Sequence, residues 1–410
     1  MRFVIIAVVA LFLMPFGVQK AAVISDPDVV QDVERVTLYR WEDAQMTWFL
    51  PRVTPIPGRG GPTVLMTLQE IGGSDYYGPV HWRTTADLGK TWTAPQPVPG
   101  WGRKKYGDDA EEAVCDVVPL YHPPTGVTLA VGQNVYYKDG RFFREQPHRF
   151  PYYTVRDANG NWATPRVLEW NDPRATEIHT NGSGQNVILP GGDILMPLSF
   201  TPIGRLDRSV TSVVCGFDGK TLTIKRAGRE LRNTAGRGLL EPSLVFLAGR
   251  YYMTIRAEDG MGYVSTSSDG LDWSDPVAWR WTDEAGRSGD ALGMSTTQQH
   301  WLAHSDALYL VYTRRDSANE KVMRWRAPLY MAQVDRRTLR LLRATERIVF
   351  PLRGDAAGAP QMVPHYGNFH VNEITRNESW ILSGEVIPGN FHGDLLMARV
   401  RWKKPNRLAK

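Results

Sequence analysis

Glu241 and Arg256 are a pair of residues whose types and spacing could do chemistry. They lie fifteen residues apart in the stretch EPSLVFLAGRYYMTIR, which is typical of two strands joined by a tight turn. A carboxylate can act as a base, and an arginine can bind a substrate carboxylate through two parallel hydrogen bonds. An ordinary ion pair within a hairpin would give the same pattern, so the rest of the chain must decide between the two.

The elements that would position this pair are short strands. The 410 residues include 38 glycines, 28 prolines and 14 tryptophans, and apolar runs such as DALYLVY are interrupted by turn-forming residues about every ten positions. Few stretches have helical periodicity, and no low-complexity linker divides the chain. We therefore predict an all-β protein with one folded domain over residues 23–410.

The first 22 residues have the pattern of a signal peptide. Arg2 precedes an apolar run over residues 3–16, which is too short to span a bilayer comfortably. The cleavage site is poorly defined, so an uncleaved anchor is the alternative. We predict an exported protein, periplasmic or secreted.

The charge and the cysteines exclude several function classes. The net charge is +5, which favours an anionic partner, but the basic residues are scattered and form no run suited to nucleic acid. Neither CxxC nor HExxH occurs, so we expect no metal site, and we expect no cofactor and a monomer. Cys115 and Cys215 sit in apolar runs, where free buried thiols and a disulfide are both open.

A short motif recurs along the chain. It appears as TADLGKTWTAP at residues 85–95, as SSDGLDWSDP at residues 267–276, and in degenerate form as RDANGNWATP at residues 156–165. Each aspartate can accept hydrogen bonds from backbone N–H groups of a turn, and each glycine can adopt positive φ. Each tryptophan can pack the hairpin end against its own sheet. We therefore predict a structural role for this motif.

The motif resembles the Asp-box of the sialidase-like β-propellers. That resemblance implies a six-bladed β-propeller of four-stranded antiparallel blades. The run that opens with Glu241, followed by Arg256 and then by the second copy of the motif, resembles the same family most specifically. It implies that Glu241 is the base partner of a tyrosine nucleophile and that Arg256 is one of three arginines that bind a substrate carboxylate.

The resemblance suggests the remaining members of such a site. Arg52 in LPRVTPIPG would be the first arginine, and Asp75 in GGSDYYGP would be the general acid/base. Arg326 would be the third arginine, with Arg324 as its close rival, and Tyr366 would be the nucleophile. A neutral tyrosine suits a substrate that carries its own carboxylate, since a carboxylate nucleophile would be repelled. The implied activity is exo-acting hydrolysis of a terminal acidic sugar from a glycan.

Two other functions remain open. Where the family usually has a further arginine, this chain has TLQEIGGSD, with Glu70 and no arginine. Related Asp-box propellers include lyases and hydrolases of uronic-acid polysaccharides that use histidine and tyrosine, and His179 in EIHTNGSGQ is the candidate for that chemistry. A non-catalytic propeller that binds glycans is the third alternative. Glu241 favours the hydrolase, because a lyase of this kind does not need it.

Overall fold

The computed structural model describes residues 27–44, 46–174, 178–181, 183–282, 287–294, 297–353, 362–388 and 392–409. The predicted signal peptide at residues 1–22 lies outside the described residues, so its assignment stays a prediction. None of the helices in the described ranges is long and apolar enough to cross a membrane.

The first half of the chain forms three sheets, preceded by strand β1 (Val30–Tyr39) and a one-turn helix α1 (Trp41–Ala44). The first sheet consists of β2 (Trp48–Ile56), β3 (Thr63–Gly73), β4 (Tyr76–Thr85) and β5 (Gln96–Pro97). The second consists of β6 (Lys104–Tyr106), β7 (Ala110–His122), β8 (Val127–Lys138), β9 (Arg141–Phe142), β10 (Pro151–Arg156) and β11 (Arg166–Val167). The third consists of β12 (His179–Thr180), β13 (Val187–Ile188), β14 (Ile194–Phe200), β15 (Ser209–Phe217), β16 (Leu222–Ala227) and β17 (Leu231–Arg232).

The second half forms three more sheets and three short 3-10 helices at Ser317–Asn319, Met323–Trp325 and Arg343–Thr345. The fourth sheet consists of β18 (Leu239–Leu247), β19 (Arg250–Ala257), β20 (Gly262–Ser267) and β21 (Val277–Ala278). The fifth consists of β22 (Arg280–Thr282), β23 (Ser288–Ala291), β24 (His300–His304), β25 (Ala307–Tyr312), β26 (Leu329–Asp335), β27 (Arg340–Leu342) and β28 (Arg347–Phe350). The sixth consists of β29 (His365–Tyr366), β30 (His370–Glu373), β31 (Glu378–Val386), β32 (Leu395–Trp402) and β1.

These sheets pack face to face in chain order, and the last packs against the first. A buried apolar cluster lies between each neighbouring pair; one joins Val53 and Met66 of the first sheet to Trp380 and Met397 of the sixth. The N-terminal β1 pairs with the C-terminal β32, so both ends of the described chain meet in one sheet. The all-β class and the propeller-like arrangement are therefore confirmed. The described sheets contain four to seven strands each, so uniform four-stranded blades are not observed, and the six-blade count stays a prediction.

Three strands carry a β-bulge with a non-glycine residue at positive φ. The residues are Leu50 in β2 (φ 51°), Asp116 in β7 (φ 55°) and Glu241 in β18 (φ 43°). A bulge rotates a side chain out of the regular alternation, and bulges are frequent beside functional sites. Positive φ in a non-glycine residue costs on the order of 1–3 kcal/mol, which the surrounding structure must offset.

The recurrent aspartates have the structural role expected of them. Asp269 Oδ1 accepts hydrogen bonds from the N–H groups of Leu271 and Asp272, both at 2.8 Å. Asp87 Oδ1 accepts one from Thr91 at 2.9 Å, and Asp157 Oδ1 accepts one from Asn161 at 2.8 Å. These carboxylates therefore stabilise hairpin turns. Both cysteines, Cys115 and Cys215, are buried and free.

Replacement of Trp301 would test how much the packing between sheets contributes to stability. Its side chain is fully buried, its Nε1 donates to the carbonyl oxygen of Ser243 at 2.9 Å, and its ring contacts Trp279. We expect Trp301→Ala to lower the free energy of unfolding by about 3–5 kcal/mol, as measured by denaturant titration. Leu206→Ala, at a side chain that is 98% exposed, is the control and should change nothing.

Candidate functional site

A cavity of about 430 Å³ lies where loops and strands of all six sheets meet. That volume is in the range of small-ligand sites. Its described walls are strongly charged, with more arginines than carboxylates. The arginines are Arg149, Arg208, Arg237, Arg256, Arg324 and Arg326, and the carboxylates are Asp75, Asp116, Glu241 and Glu258. In the described ranges, no cluster of His, Cys, Asp and Glu has the arrangement of a metal site.

Glu241 and Arg256 form an ion pair in the wall of this cavity. Arg256 Nη1 donates to Glu241 Oε1 at 2.7 Å, and the bulge in β18 directs the carboxylate toward β19. Glu241 Oε2 and Arg256 Nε are buried and have no hydrogen-bond partner among the described residues. Burial opposes ionisation, but the charges of Arg256 and Arg326 outweigh it and hold the pKa of Glu241 below its ordinary value. The pair is thus ionised and lines the cavity.

Arg324 and Arg326 lie beside this pair, in the segment that leads into β26. In the part of the chain that the structure describes, the buried Nε of Arg326 has no hydrogen-bond partner. Burial, together with the positive charges of Arg256 and Arg324, lowers the pKa of Arg326 to about 10. The backbone of Arg324 is at φ 51°, outside the region that its 3-10 helix would require. Three predicted arginines therefore face one cavity without full compensation of their charge.

Asp75 faces the same cavity from the turn between β3 and β4, where its φ is 53°. The hydroxyl of Tyr77, two residues on, donates to Asp75 Oδ1 at 3.3 Å. Burial and the neighbouring charges of Asp75 and Asp116 raise the pKa of Tyr77 well above its ordinary value, so this tyrosine is neutral. Asp75 and Glu241 both line this cavity, and both carboxylates act electrostatically on Arg326.

Asp116 is a cavity residue that the sequence reading missed. Its carboxylate accepts hydrogen bonds from Gln133 Nε2 at 3.0 Å and Asn368 Nδ2 at 3.4 Å, and it pairs with Arg52 at 3.5 Å. One signal was available, because Asp116 is the single charged residue in the apolar run AVCDVV. A lone carboxylate in a buried strand needs partners, and here it has them.

The other missed residues come from separate loops and gave no local signal. Arg237 Nε donates to Glu258 Oε2 at 3.0 Å, and Arg256 Nη2 lies 3.5 Å from Glu258 Oε1. Arg149 and Arg208 line the cavity from the neighbouring second and third sheets. In sequence they belong to the scattered basic residues, and only the closure of the ring brings them together.

The prediction that Tyr366 faces Glu241 is wrong. The Tyr366 hydroxyl donates to the carbonyl oxygen of Pro351, and its ring lines a different cavity, beside Arg353 and Glu385. The strand that contains Tyr366 ends at this residue. Asn368, two residues further on, lines the main cavity instead.

Arg52 and His179 also differ from their predicted positions. Arg52 is fully buried behind the cavity, where it donates to the carbonyl oxygen of Asn368 at 2.9 Å and pairs with Asp116. His179 packs against Phe150 and Trp170, and its Nε2 lies 3.3 Å from the carbonyl oxygen of Leu168. Neither side chain lines the cavity, so neither is placed to contact a ligand directly. The position of His179 therefore gives no support to the alternative of a histidine-based lyase.

Solved structures with a similar fold include sialidases and a protein of unknown function. A Dyadobacter fermentans protein of unknown function is 16% identical, with a TM-score of 0.66 over 92% of this chain and 100% of its own. A Trypanosoma rangeli sialidase in complex with sialic acid is 14% identical, with a TM-score of 0.62 over 90% of this chain and 59% of its own. The Hadza microbial sialidase Hz136 is 12% identical, with a TM-score of 0.60 over 90% and 68%.

No protein-family model and no curated protein sequence matches this chain. At these low identities the structural likeness shows a shared sialidase-like fold. It does not transfer an activity, which the residues of the cavity must support by themselves.

Glu241 should make stability depend on pH. Because its folded-state pKa is depressed, its contribution is present above the ordinary value of 4.5 and is lost as the pH falls through the folded-state pKa. We expect Glu241→Gln to lower the free energy of unfolding at pH 7 by on the order of 2 kcal/mol. The difference from the native chain should shrink as the pH falls below 4.5.

Urea titrations of both chains across this pH range measure the effect. Glu34→Gln is the matched control, because Glu34 pairs with Arg401 on an exposed strand. An equal loss of stability at every pH would mean that the two charges of the Glu241–Arg256 pair are not coupled.

Proposed function

We propose that this chain is an exported, exo-acting glycoside hydrolase of the sialidase kind, which removes a terminal acidic sugar from a glycan. The observation that carries the proposal is the position of the Glu241–Arg256 pair in one cavity with Arg324, Arg326 and Asp75. The fold shared with sialidases agrees with it.

The arginines would bind the carboxylate of the sugar. A guanidinium group presents parallel N–H donors that match a carboxylate, and Arg256 and Arg326 both line the cavity. The binding site is a confined cavity, which suits the end of a glycan better than its middle. Anion binding would also relieve the repulsion between these two arginines.

Two carboxylates in different environments would take the roles of general acid and general base. Asp75 is held by the Tyr77 hydroxyl and would protonate the leaving-group oxygen as the glycosidic bond breaks. Glu241 is kept ionised by Arg256 and would act as the base. Because Tyr77 bonds to Asp75 and Tyr366 lies elsewhere, water rather than tyrosine is the partner that we assign to Glu241.

Loss of the proposed acid should depend on the leaving group. We expect Asp75→Asn to lower kcat/KM by about 100-fold or more for an alkyl glycoside of the right acidic sugar. The loss should be much smaller for an aryl glycoside, whose leaving oxygen needs little protonation. Release of the aglycone from sialosides and glucuronides measures both.

Tyr366→Phe is the control for this experiment and should keep full activity. Inactivity of Tyr366→Phe would contradict the placement of the site. Glycan binding by the native chain without release of any sugar would favour a non-catalytic propeller, and formation of an unsaturated sugar would favour a lyase.

The stereochemistry of the product tests the role of water. A water molecule activated by Glu241 attacks from the face opposite the leaving group, so the anomeric configuration should invert. Proton NMR of the first-formed sugar, recorded before mutarotation, reports it. Retention would require a covalent intermediate and would direct attention to Tyr77, the tyrosine that shares the cavity with Asp75.

A further inference from the structure

Arg149 and Arg208 form a second basic wall that the proposed chemistry does not use. In the described ranges, Arg256 has Glu241 and Glu258 as partners, and Arg237 has Glu258. No described carboxylate forms an ion pair with Arg149 or Arg208, although both line the same cavity. A single substrate carboxylate held by Arg256 and Arg326 would leave these two arginines without an ion-pair partner among the described residues.

The backbone fixes both residues at boundaries between sheets. The carbonyl oxygen of Arg149 accepts from His179 N at 2.9 Å, which joins the second sheet to the third. The carbonyl oxygen of Arg208 accepts from Leu239 N at 3.0 Å, which joins the third sheet to the fourth. Gly238 permits this approach, because a Cβ there would lie 2.2 Å from the Arg208 oxygen. The two arginines are therefore rigidly mounted.

The side chains of both arginines have N–H donors that bond to no described residue. Arg149 Nε donates to the carbonyl oxygen of Asn134 at 3.2 Å, which leaves its two terminal nitrogens for the cavity. The Arg208 guanidinium makes no hydrogen bond to the described residues. Burial, with the positive charges of Arg149 and Arg237, lowers the pKa of Arg208 to about 10. The fold thus holds like charges close together, an arrangement that a bound anion would stabilise.

We propose that Arg149 and Arg208 bind a second anionic group of the ligand, so that the preferred substrate is an acidic sugar with two negative charges. The second charge is an ester sulfate on the terminal sugar or the carboxylate of the next sugar. This inference rests on the proposed function for the first charge, which Arg256 and Arg326 bind.

Calorimetric titration of the full chain can separate the two charges. The probes are methyl glucuronide and a methyl sialoside, each with and without one ester sulfate, and a disaccharide of two uronic acids. We expect a doubly charged probe to bind at least about tenfold more tightly than its singly charged counterpart, as charge-assisted hydrogen bonds require. The sulfated sugars and the disaccharide distinguish the two sources of the second charge.

Variants assign that preference to residues. Arg208→Met and Arg149→Met should each remove most of the preference, because they should weaken the doubly charged probes much more than the singly charged sugar. Arg326→Met should weaken all probes, and Arg166→Met, at an exposed arginine bonded to Thr221, should change nothing. Thermal unfolding of each variant checks that it folds, and Arg208→Lys, which keeps the charge, should retain part of the preference.

Equal affinity for singly and doubly charged sugars would overturn the inference, as would an equal loss for both in Arg208→Met. Absence of binding by every probe would overturn it as well. Failure of the proposed hydrolase is a different result, because it appears as absence of sugar release while the binding preference persists.

Discussion

The ion pair between Glu241 and Arg256 is the interaction on which the cavity depends. Arg256 is only 5% exposed, and its charge lies close enough to Arg326 and Arg208 to depress the pKa of both. Unpaired buried charges are strongly destabilising, and a cavity with several arginines multiplies that cost. Glu241 interacts favourably with Arg256, Arg326 and Arg237 together, so a single carboxylate compensates much of the wall.

Glu241 reaches this position through backbone strain. A regular β18 would alternate its side chains between the two faces of the sheet, whereas the bulge at Glu241 redirects one of them. Asp116 uses the same device in β7, where it compensates the buried charge of Arg52. The cores between sheets, with side chains such as Trp301, must hold these strained positions in place.

The sequence predicted cavity residues that lie together within a single hairpin. Glu241 and Arg256 lie on paired strands, so strand period and turn position already bring them together. Asp75, which the family resemblance suggested, likewise lies in the turn of a single hairpin. Arg149 and Arg208 belong to different sheets, and their proximity follows from ring closure, which no local pattern encodes.

Tyr366 shows why a motif match alone did not suffice. Its segment does not continue as one strand, because the chain passes close to Phe49 at Gly367, where a Cβ would lie 1.9 Å from the Phe49 ring. The strand therefore ends at Tyr366 and resumes at His370, and Asn368 faces the cavity between them. This break interrupts the alternation of side chains along the strand that would place Tyr366 on the inner face of the sheet.

Arg314 and Arg326 differ in how completely other side chains pair with their guanidinium groups. Arg314 donates to both oxygens of Glu346, at 2.8 and 2.9 Å, and also pairs with Asp316. Burial opposes its charge, yet these bonds raise its pKa, whereas the pKa of Arg326 is lowered to about 10. Twelve positions apart, one arginine is fully paired and the other is kept short of partners. This contrast is compatible with the proposed anionic ligand, which would supply the partners that Arg326 lacks among the described residues.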